Sequence, residues 1–270
     1  MAVPPRLYKY EPYNVRTLRN IKGQILYFGS PRNFNDPYDC ALTPNFRVPT
    51  DDEVESTRAY YLSQQGLTDV HREEFETKTT DDLRGVFLRA ARDAFVQQIN
   101  NVVRSSGITC FSERNDDLLM WSHYTGRGRG VCLEFDTNCD PFNNINKIHP
   151  VRYVSALPQL DVAEIIKRNF DPFLDFFCTK CSSWSYEREW RALHKTGGTE
   201  YIYPAAALTG VYFGPDIDNE SLEIVCLILA GQNESVKLYR GSRSTTKFQV
   251  LFKEFTYTSY LQAKNMGLRE

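Results

Sequence analysis

The chain has 270 residues and a formal net charge of -2, and charged residues make up 24% of it. This length is sufficient for a buried hydrophobic core and excludes a miniprotein that depends on disulfide bonds. The near balance of charge excludes an overall field that would attract nucleic acid or an anionic membrane. The first residues lack the charged and apolar regions of a signal peptide, so we expect a cytoplasmic protein with no membrane partner.

Strand and helix signals follow one another from the start of the chain. Aromatic and aliphatic residues predict strands at residues 7–10 and 24–28, with a short helix over residues 15–21 between them. Turn formers fill residues 29–39, so we expect an ordered loop that displays polar side chains. From residue 51 to about 104, apolar residues recur at helical spacing, which predicts a helical insertion at about 51–105.

Strand signals resume after this insertion. They predict strands at residues 107–111 and 130–135, separated by a short helix over 116–124 that Asp116 or Asp117 caps. A second helical insertion is predicted at about 160–181, with an interruption near Pro172. Further strands are predicted at residues 188–194, 200–203, 210–213, 237–239 and 248–255, and a helix at 219–230. Strands separated by helical insertions predict one α+β domain over residues 1–270, with a mixed or antiparallel sheet core.

Cys178 and Cys181 form a Cys-x-x-Cys pair near the end of the second insertion. This spacing occurs in zinc sites and in redox pairs. The chain has no second pair of metal-ligating residues at suitable spacing, so we expect no bound metal. We predict that both cysteines are buried structural residues.

Asn35 and Asp36 stand in the loop before Pro37. Both residue types are common turn formers, which is their structural interpretation. Loops of this kind also carry function, because a rigid framework displays them at the surface. In the functional interpretation, Asn35 and Asp36 form hydrogen bonds with a ligand.

Trp121, His123 and Tyr124 occur within four residues. Two aromatic rings beside a group that titrates near neutral pH are suited to a pocket for a planar ring. The alternative is that Trp121 packs in the core and that His123 is a satisfied hydrogen-bonding residue.

Glu187 and Glu189 belong to the run Tyr-Glu-Arg-Glu-Trp-Arg. In a strand, these two side chains project from the same face. Carboxylates about 7 Å apart on one face repel each other unless solvent or partners compensate, which favours a role facing a ligand. The alternative is an exposed edge strand with an ion pair to Arg191 or a lysine.

The chain also carries motifs that occur together in one known family. In order they are Leu-Tyr-Lys-Tyr, Phe-Asn-Asp-Pro-Tyr-Asp, Cys-Phe-Ser-Glu, Leu-Met-Trp-Ser-His-Tyr, Gly-Val-Cys-Leu-Glu-Phe, Tyr-Glu-Arg-Glu-Trp-Arg and Val-Tyr-Phe-Gly. Together they closely resemble the largely bacterial family called domain of unknown function 2971. The resemblance extends from Leu7 to beyond Gly214, and the family name leaves the function open.

A more distant resemblance is to the ADP-ribosyltransferase fold, in which an early strand, a middle strand with serine and a late Glu-x-Glu strand converge on NAD. It implies that Glu189 stabilises the oxocarbenium-like ribose as nicotinamide leaves, with Glu187 directed toward the acceptor. It also implies substrate-binding roles for further residues. These are Tyr8 and Lys9 on the early strand, Ser112 in the middle element, and Trp121 or Tyr124 against nicotinamide.

These features lead to three functional hypotheses. The first is a NAD-consuming ADP-ribosyltransferase-like enzyme, a toxin or defence effector that acts on protein or nucleic acid, with NAD as substrate. The second is a non-catalytic domain that binds a nucleotide or a partner. The third is a hydrolase in which His123, with Asp36 or Glu189, activates water.

Overall fold

The computed structural model describes residues 2–40, 45–140, 142, 148–167, 176–233 and 235–268. The contacts within the chain divide it into two compact units. Unit 1 comprises Met1–Gly29, Gly107–Val151 and Ser183–Glu270, and unit 2 comprises Ser30–Ser106 and Arg152–Ser182. The single domain expected over the whole chain stays a prediction.

The secondary structure of the described residues is numbered in chain order. The strands are β1 (Arg6–Glu11), β2 (Ile25–Phe28), β3 (Asn45–Arg47), β4 (Gly107–Ser112), β5 (Val131–Asp136), β6 (Ile148–Pro150), β7 (Arg152–Val154), β8 (Gln159–Asp161), β9 (Thr179–Cys181), β10 (Glu189–His194), β11 (Thr199–Ile202), β12 (Leu208–Phe213), β13 (Lys237–Arg243) and β14 (Val250–Phe255). The α-helices are α1 (Val15–Gly23), α2 (Asp51–Leu62), α3 (Asp69–Thr77), α4 (Thr80–Ser105), α5 (Leu118–Tyr124), α6 (Val162–Lys167), α7 (Asn219–Ala230) and α8 (Tyr260–Asn265). None of the helices in the described ranges is both long enough and apolar enough to cross a membrane.

Unit 1 is built on an eight-stranded sheet with the order β14-β13-β12-β5-β1-β4-β10-β6. Neighbouring strands are antiparallel except β12 and β13, which are parallel and are joined through α7. A parallel pair requires such a crossover, because a short hairpin turn reverses the chain. The mixed, mostly antiparallel sheet and the helices confirm the predicted α+β class.

One face of this sheet carries the main hydrophobic core. Sheet residues such as Leu7, Phe111 and Trp190 pack there with Ile21 of α1 and Val225 of α7. Successive residues of a strand point to opposite faces, so the residues between these core positions point the other way. Tyr8, Ser112 and Glu189, which are the neighbours of Leu7, Phe111 and Trp190 along their strands, therefore lie on the opposite face.

Helix α5 covers part of that opposite face, where its Trp121 packs against Tyr10 of β1. Asp117 begins the helix, because its carboxylate accepts hydrogen bonds from the main-chain N–H groups of Leu119 and Met120 at 2.9 and 3.2 Å. The predicted cap at Asp116 or Asp117 is thus confirmed for Asp117.

Unit 2 consists largely of α2, α3, α4 and α6. Apolar residues from three of these helices form a separate core, which contains Val54, Leu83, Phe87, Ala91 and Val162. Two short parallel pairings, β3 with β8 and β7 with β9, complete the unit. Helices α2, α3 and α4 confirm the helical pattern predicted from residue 51 to about 104.

Two local predictions near the second insertion are wrong. Helix α6 (Val162–Lys167) lies within the predicted second helical insertion, but at its predicted end Thr179–Cys181 is strand β9, whose main chain pairs with β7 instead of continuing a helix. Cys178 is buried as predicted, but Cys181 is exposed. The interruption predicted near Pro172 lies outside the described residues.

Gly130 lies where two main-chain segments of unit 1 approach closely. A Cβ atom at this position would lie 2.2 Å from the carbonyl oxygen of Glu11 and 3.0 Å from the Cβ atom of Thr125. Gly130→Ala must therefore displace the main chain. We expect it to lower the free energy of unfolding, measured by urea denaturation, by about 1–3 kcal/mol.

Gly85 in α4 provides the matched control. The nearest atom to a Cβ there would be 3.6 Å away, at the end of the Arg89 side chain. Alanine favours a helix interior over glycine by about 1 kcal/mol, so Gly85→Ala should maintain or raise the free energy of unfolding. Equal losses for the two substitutions would contradict the steric explanation.

Candidate functional site

A row of polar residues crosses the centre of the sheet in unit 1. Tyr8 of β1 lies directly opposite Ser112 of β4, and Ser112 lies directly opposite Glu189 of β10. On the other side of β1, Tyr8 lies opposite Glu134 of β5. Directly opposed residues point to the same face of a sheet. We call these four residues the polar row.

Glu189 is buried and is held by an ion pair with Arg191. The Nε and Nη2 atoms of Arg191 donate to the two carboxylate oxygens of Glu189 at 2.8 and 2.9 Å. The side chain of Glu189 is 6% exposed and that of Arg191 is 0% exposed. They share a face because they stand two residues apart in one strand. This bidentate contact fixes the orientation of the carboxylate.

Cys110 of β4 lies directly opposite Arg191 and therefore beside this pair. Burial raises the pKa of the Cys110 thiol well above its ordinary value, and the negative charge of Glu189 raises it further. The thiol thus stays protonated at neutral pH and is a poor nucleophile.

Glu187 approaches the polar row through a different geometry from the predicted one. It ends the 3-10 helix Ser182–Glu187, and the next residue, Arg188, has a left-handed φ of 43°. The prediction that a strand directs both carboxylates to one face is therefore wrong. Glu187 is buried, and its carboxylate accepts a hydrogen bond from the hydroxyl of Tyr124. Its main-chain carbonyl accepts a hydrogen bond from the hydroxyl of Ser112 at 2.6 Å, which connects Glu187 to the polar row.

Four rings form an aromatic group next to Glu187, namely His123, Tyr124, Trp184 and Tyr186. The ring centroid of His123 lies 6.4 Å from that of Tyr124, 6.5 Å from that of Trp184 and 6.4 Å from that of Tyr186. His123 is exposed, and the other three side chains are half-buried. Such a group offers ring faces and edges to a planar ligand. Sequence reasoning missed Trp184 and Tyr186, because it assigned this run to a strand.

Lys9 does not join the polar row. It follows Tyr8 in β1 and points to the opposite face, where its ammonium group lies 5.7 Å from the ring centroid of Phe111. The same group lies 3.3 Å from the carboxylate of Glu11. Strand alternation therefore separates two residues that the sequence placed in one pocket.

Trp121 is buried in unit 1, and Asn35 and Asp36 belong to unit 2. Trp121 is 2% exposed, and its indole N–H donates to the carbonyl of Asn115 at 2.7 Å, so it is a core residue and offers no open ring face. Asn35 and Asp36 belong to unit 2, where Asn35 is exposed and Asp36 is buried.

Glu134 is a site residue that sequence reasoning missed. Its carboxylate accepts hydrogen bonds from the hydroxyls of Thr209 and Tyr212, each at 2.7 Å, and lies 3.5 Å from Nε of Arg6. The available signal was the alternation in β5, in which Glu134 stands between two core residues and must point away from the core.

This face combines carboxylates, hydroxyls and exposed ring surfaces. Within the described ranges, no three His, Cys, Asp or Glu side chains come together as metal ligands. Carboxylates accept hydrogen bonds from ligand hydroxyls, and aromatic rings bind planar groups. The arrangement therefore suits an organic ligand that carries both a ring and hydroxyl groups.

Fold and site together define an α+β protein with a polar and aromatic site on one face of its sheet. The model of the family described as Protein of unknown function (DUF2971) matches residues 120–192. This match confirms the resemblance to that family for the middle part of the chain. The matched range includes Trp121, His123, Tyr124, Glu187 and Glu189. The comparison with curated proteins and the comparison with solved structures each return no match.

The Glu189–Arg191 pair leads to a prediction about stability. Arg191→Met leaves the carboxylate of Glu189 buried without its counter-charge. We expect a loss of about 3–5 kcal/mol in the free energy of unfolding, measured by urea denaturation. The double variant Arg191→Met/Glu189→Leu removes both charges at similar volume, so it should recover most of that loss.

The exposed pair between Arg19 and Glu200 is the matched control. Its side chains are 61% and 36% exposed. Arg19→Met should therefore cost at most about 1 kcal/mol. If Arg19→Met and Arg191→Met lower the free energy of unfolding equally, burial does not explain the contribution of Arg191 to stability.

The pKa of Tyr8 provides a prediction about the polar row. Burial, and then the negative charge of Glu134, raise the pKa of Tyr8 to about 12. The folded chain thus retains a proton that the unfolded chain releases near pH ~10, so this contribution to stability is present below pH ~10 and is lost as the pH rises toward 12. Glu134→Gln removes the charge and should lower the pKa of Tyr8 toward its ordinary value.

The measurement is an ultraviolet titration of tyrosinate. The difference between proteins with Tyr8 and with Tyr8→Phe isolates this one phenol, both in the natural chain and in the Glu134→Gln background. An unchanged midpoint in the Glu134→Gln background would show that Glu134 does not influence Tyr8.

Proposed function

We propose that unit 1 binds and cleaves NAD as an ADP-ribosyltransferase-like enzyme. The observation that carries this proposal is the register of Tyr8, Ser112 and Glu189 across three adjacent strands. The resemblance to the ADP-ribosyltransferase fold calls for an early strand, a middle strand with serine and a late strand with glutamate. Strands β1, β4 and β10 supply these residues in that order and on one face of the sheet.

In the proposed reaction, the bond between the nicotinamide nitrogen and C1′ of the ribose breaks. Both electrons of the bond go to nicotinamide, which leaves as a neutral molecule, and positive charge develops on the ribose. The carboxylate of Glu189 faces this charge in an orientation that Arg191 holds fixed. A preorganised charge in a buried site needs no rearrangement at the moment of reaction. The N–H or O–H group of an acceptor then bonds to C1′, and its proton passes to the solvent.

Glu187 and the aromatic group have complementary roles in this proposal. The carboxylate of Glu187, which Tyr124 orients, accepts a hydrogen bond from the N–H or O–H group of the protein or nucleic-acid acceptor. The nicotinamide ring of NAD carries a positive charge, and the faces of Trp184 and Tyr186 attract such a ring. In this proposal, these two residues take the stacking role that the resemblance implied for Trp121 or Tyr124.

One observation favours the non-catalytic alternative. Arg191 already donates to both carboxylate oxygens of Glu189, so this carboxylate has hydrogen-bond partners without a ligand. Such a structural role for Glu189 is what a domain that binds a nucleotide without cleaving it requires. The hydrolase hypothesis requires a carboxylate within hydrogen-bond reach of His123. The ring of His123 contacts the aromatic group, and among the described residues no hydrogen bond joins it to Glu189. A role as a toxin or defence effector and a cytoplasmic location stay predictions.

The test is the release of nicotinamide from NAD by the purified chain, measured by chromatography. We expect turnover by the natural chain and a loss of at least about 100-fold in kcat for Glu189→Gln, because a positioned charge is worth about this factor in other enzymes. Glu189→Gln also leaves Arg191 without its counter-charge. Circular dichroism therefore checks that the variant remains folded under assay conditions.

Glu200→Gln is the matched control for this test. Glu200 also accepts two hydrogen bonds from an arginine, Arg19, but at the surface of unit 1, so its replacement should leave turnover unchanged. Absence of nicotinamide release by the natural chain, or full turnover by folded Glu189→Gln, overturns the enzymatic proposal. Thermal stabilisation by NAD without nicotinamide release would then support the non-catalytic alternative.

A further inference from the structure

Unit 2 contains its own cavity, of about 210 Å³. Apolar side chains from the end of β7 and the segment after it, such as Val154, Leu157 and Pro158, supply much of its lining. The ionisable groups of the lining include Asp36 and Lys180. A small concave space with mostly apolar walls and few polar groups is the common form of a ligand site.

Asp36 is one of the residues that line this cavity, and its carboxylate is incompletely satisfied. Asp36 is 5% exposed. Its Oδ1 atom accepts a hydrogen bond from the main-chain N–H of Tyr38 at 2.9 Å. Its Oδ2 atom is buried and has no hydrogen-bond partner in the part of the chain that the structure describes. Such an oxygen costs free energy, and a bound donor would remove this cost.

The charges around the cavity indicate what kind of donor fits. Lys180 is buried and pairs with the carboxylate of Asp39, with 3.4 Å between Nζ and Oδ2. The hydrogen bond that the carboxylate of Asp36 accepts within the described residues comes from a neutral main-chain N–H group, so no positive charge pairs with this carboxylate there. The exposed Arg152 donates to the hydroxyl of Thr179 at 3.3 Å, and solvent screens its charge. A positively charged donor is thus favoured over a neutral one.

We propose that this cavity binds a small organic cation with an apolar body and at least one N–H group, of the ammonium or amidinium class. The N–H group donates to Oδ2 of Asp36, and a charge-assisted hydrogen bond of this kind is stronger than a neutral one. The positive charge balances the buried negative charge, and the apolar body contacts the lining. The site lies within unit 2 and does not depend on the proposed NAD chemistry.

Three probes that share one ring test this proposal by isothermal titration calorimetry on the full chain. Benzylammonium has both a positive charge and N–H groups. Benzyl alcohol has a donor without charge, and benzyltrimethylammonium has a charge without a donor. We expect saturable binding of benzylammonium and at least tenfold weaker binding of the other two probes.

Asp36→Asn keeps the shape of the side chain and removes its charge, and it should weaken the binding of benzylammonium at least tenfold. Asp93→Asn is the matched control, because Asp93 is an exposed residue of α4 in the same unit. It changes the net charge equally and should leave the affinity unchanged. If Asp36→Asn does not fold, Ala156→Trp provides the test instead. Its side chain fills the cavity from an exposed position of the lining, so it should weaken the binding of benzylammonium.

The proposal is overturned if benzylammonium does not bind, which is also the result expected when water alone satisfies Oδ2. It is overturned as well if benzyltrimethylammonium binds equally tightly, or if folded Asp36→Asn binds benzylammonium like the natural chain. Retention of affinity in Ala156→Trp would place the binding elsewhere and would have the same consequence.

Discussion

The buried ion pair between Glu189 and Arg191 is the constraint on which the polar face of unit 1 depends. Removing two charged groups from water costs several kcal/mol per ion, and this cost is recovered only through close and well-oriented contacts. Trp190 and Ala192 alternate with the pair along β10 and pack into the main core on the other face. The same strand therefore anchors the hydrophobic core and orients the carboxylate.

Much of the fold could be predicted because its signals are local. In β1, β4 and β5 aromatic and aliphatic residues cluster between turn formers, so the strands can be recognised from the local sequence. Asp117 is a strong helix cap, which made the start of α5 predictable within a residue or two. The end of the second insertion was not predictable in this way, because strand β9 exists only through its pairing with β7, a segment distant in sequence.

The candidate site could be predicted only in part. Alternation alone separates Lys9 from Tyr8, and it places Arg191 on the side of Glu189, so both facts could be inferred from the sequence. The burial of the pair could not, because it depends on the neighbouring strands β4 and β6. Nor could the approach of Glu187, since arginine rarely adopts the left-handed conformation that Arg188 has here.

The family match and the geometry bear on different parts of the site. The matched range contains α5 from Met120 onward and the segment with Glu187 and Glu189, whereas Tyr8 and Ser112 precede it. It is the pairing of β1 and β4 with β10 that brings these earlier residues into one row with Glu189. The strand order thus extends the site beyond the part of the chain that the family model recognises.

The central position of β1 also affects how the chain folds during its synthesis. β1 lies between β5 and β4 in the sheet, and its Lys9 contacts Cys110, a residue 101 positions later. The first strand therefore has no partner in this sheet until the chain has been synthesised as far as β4, which begins at Gly107. Pairing over such distances is slow, and unpaired strand edges promote aggregation. Because β10 belongs to the third segment of unit 1, which begins at Ser183, the edge of β4 that pairs with β10 stays unpaired until that segment has also been synthesised.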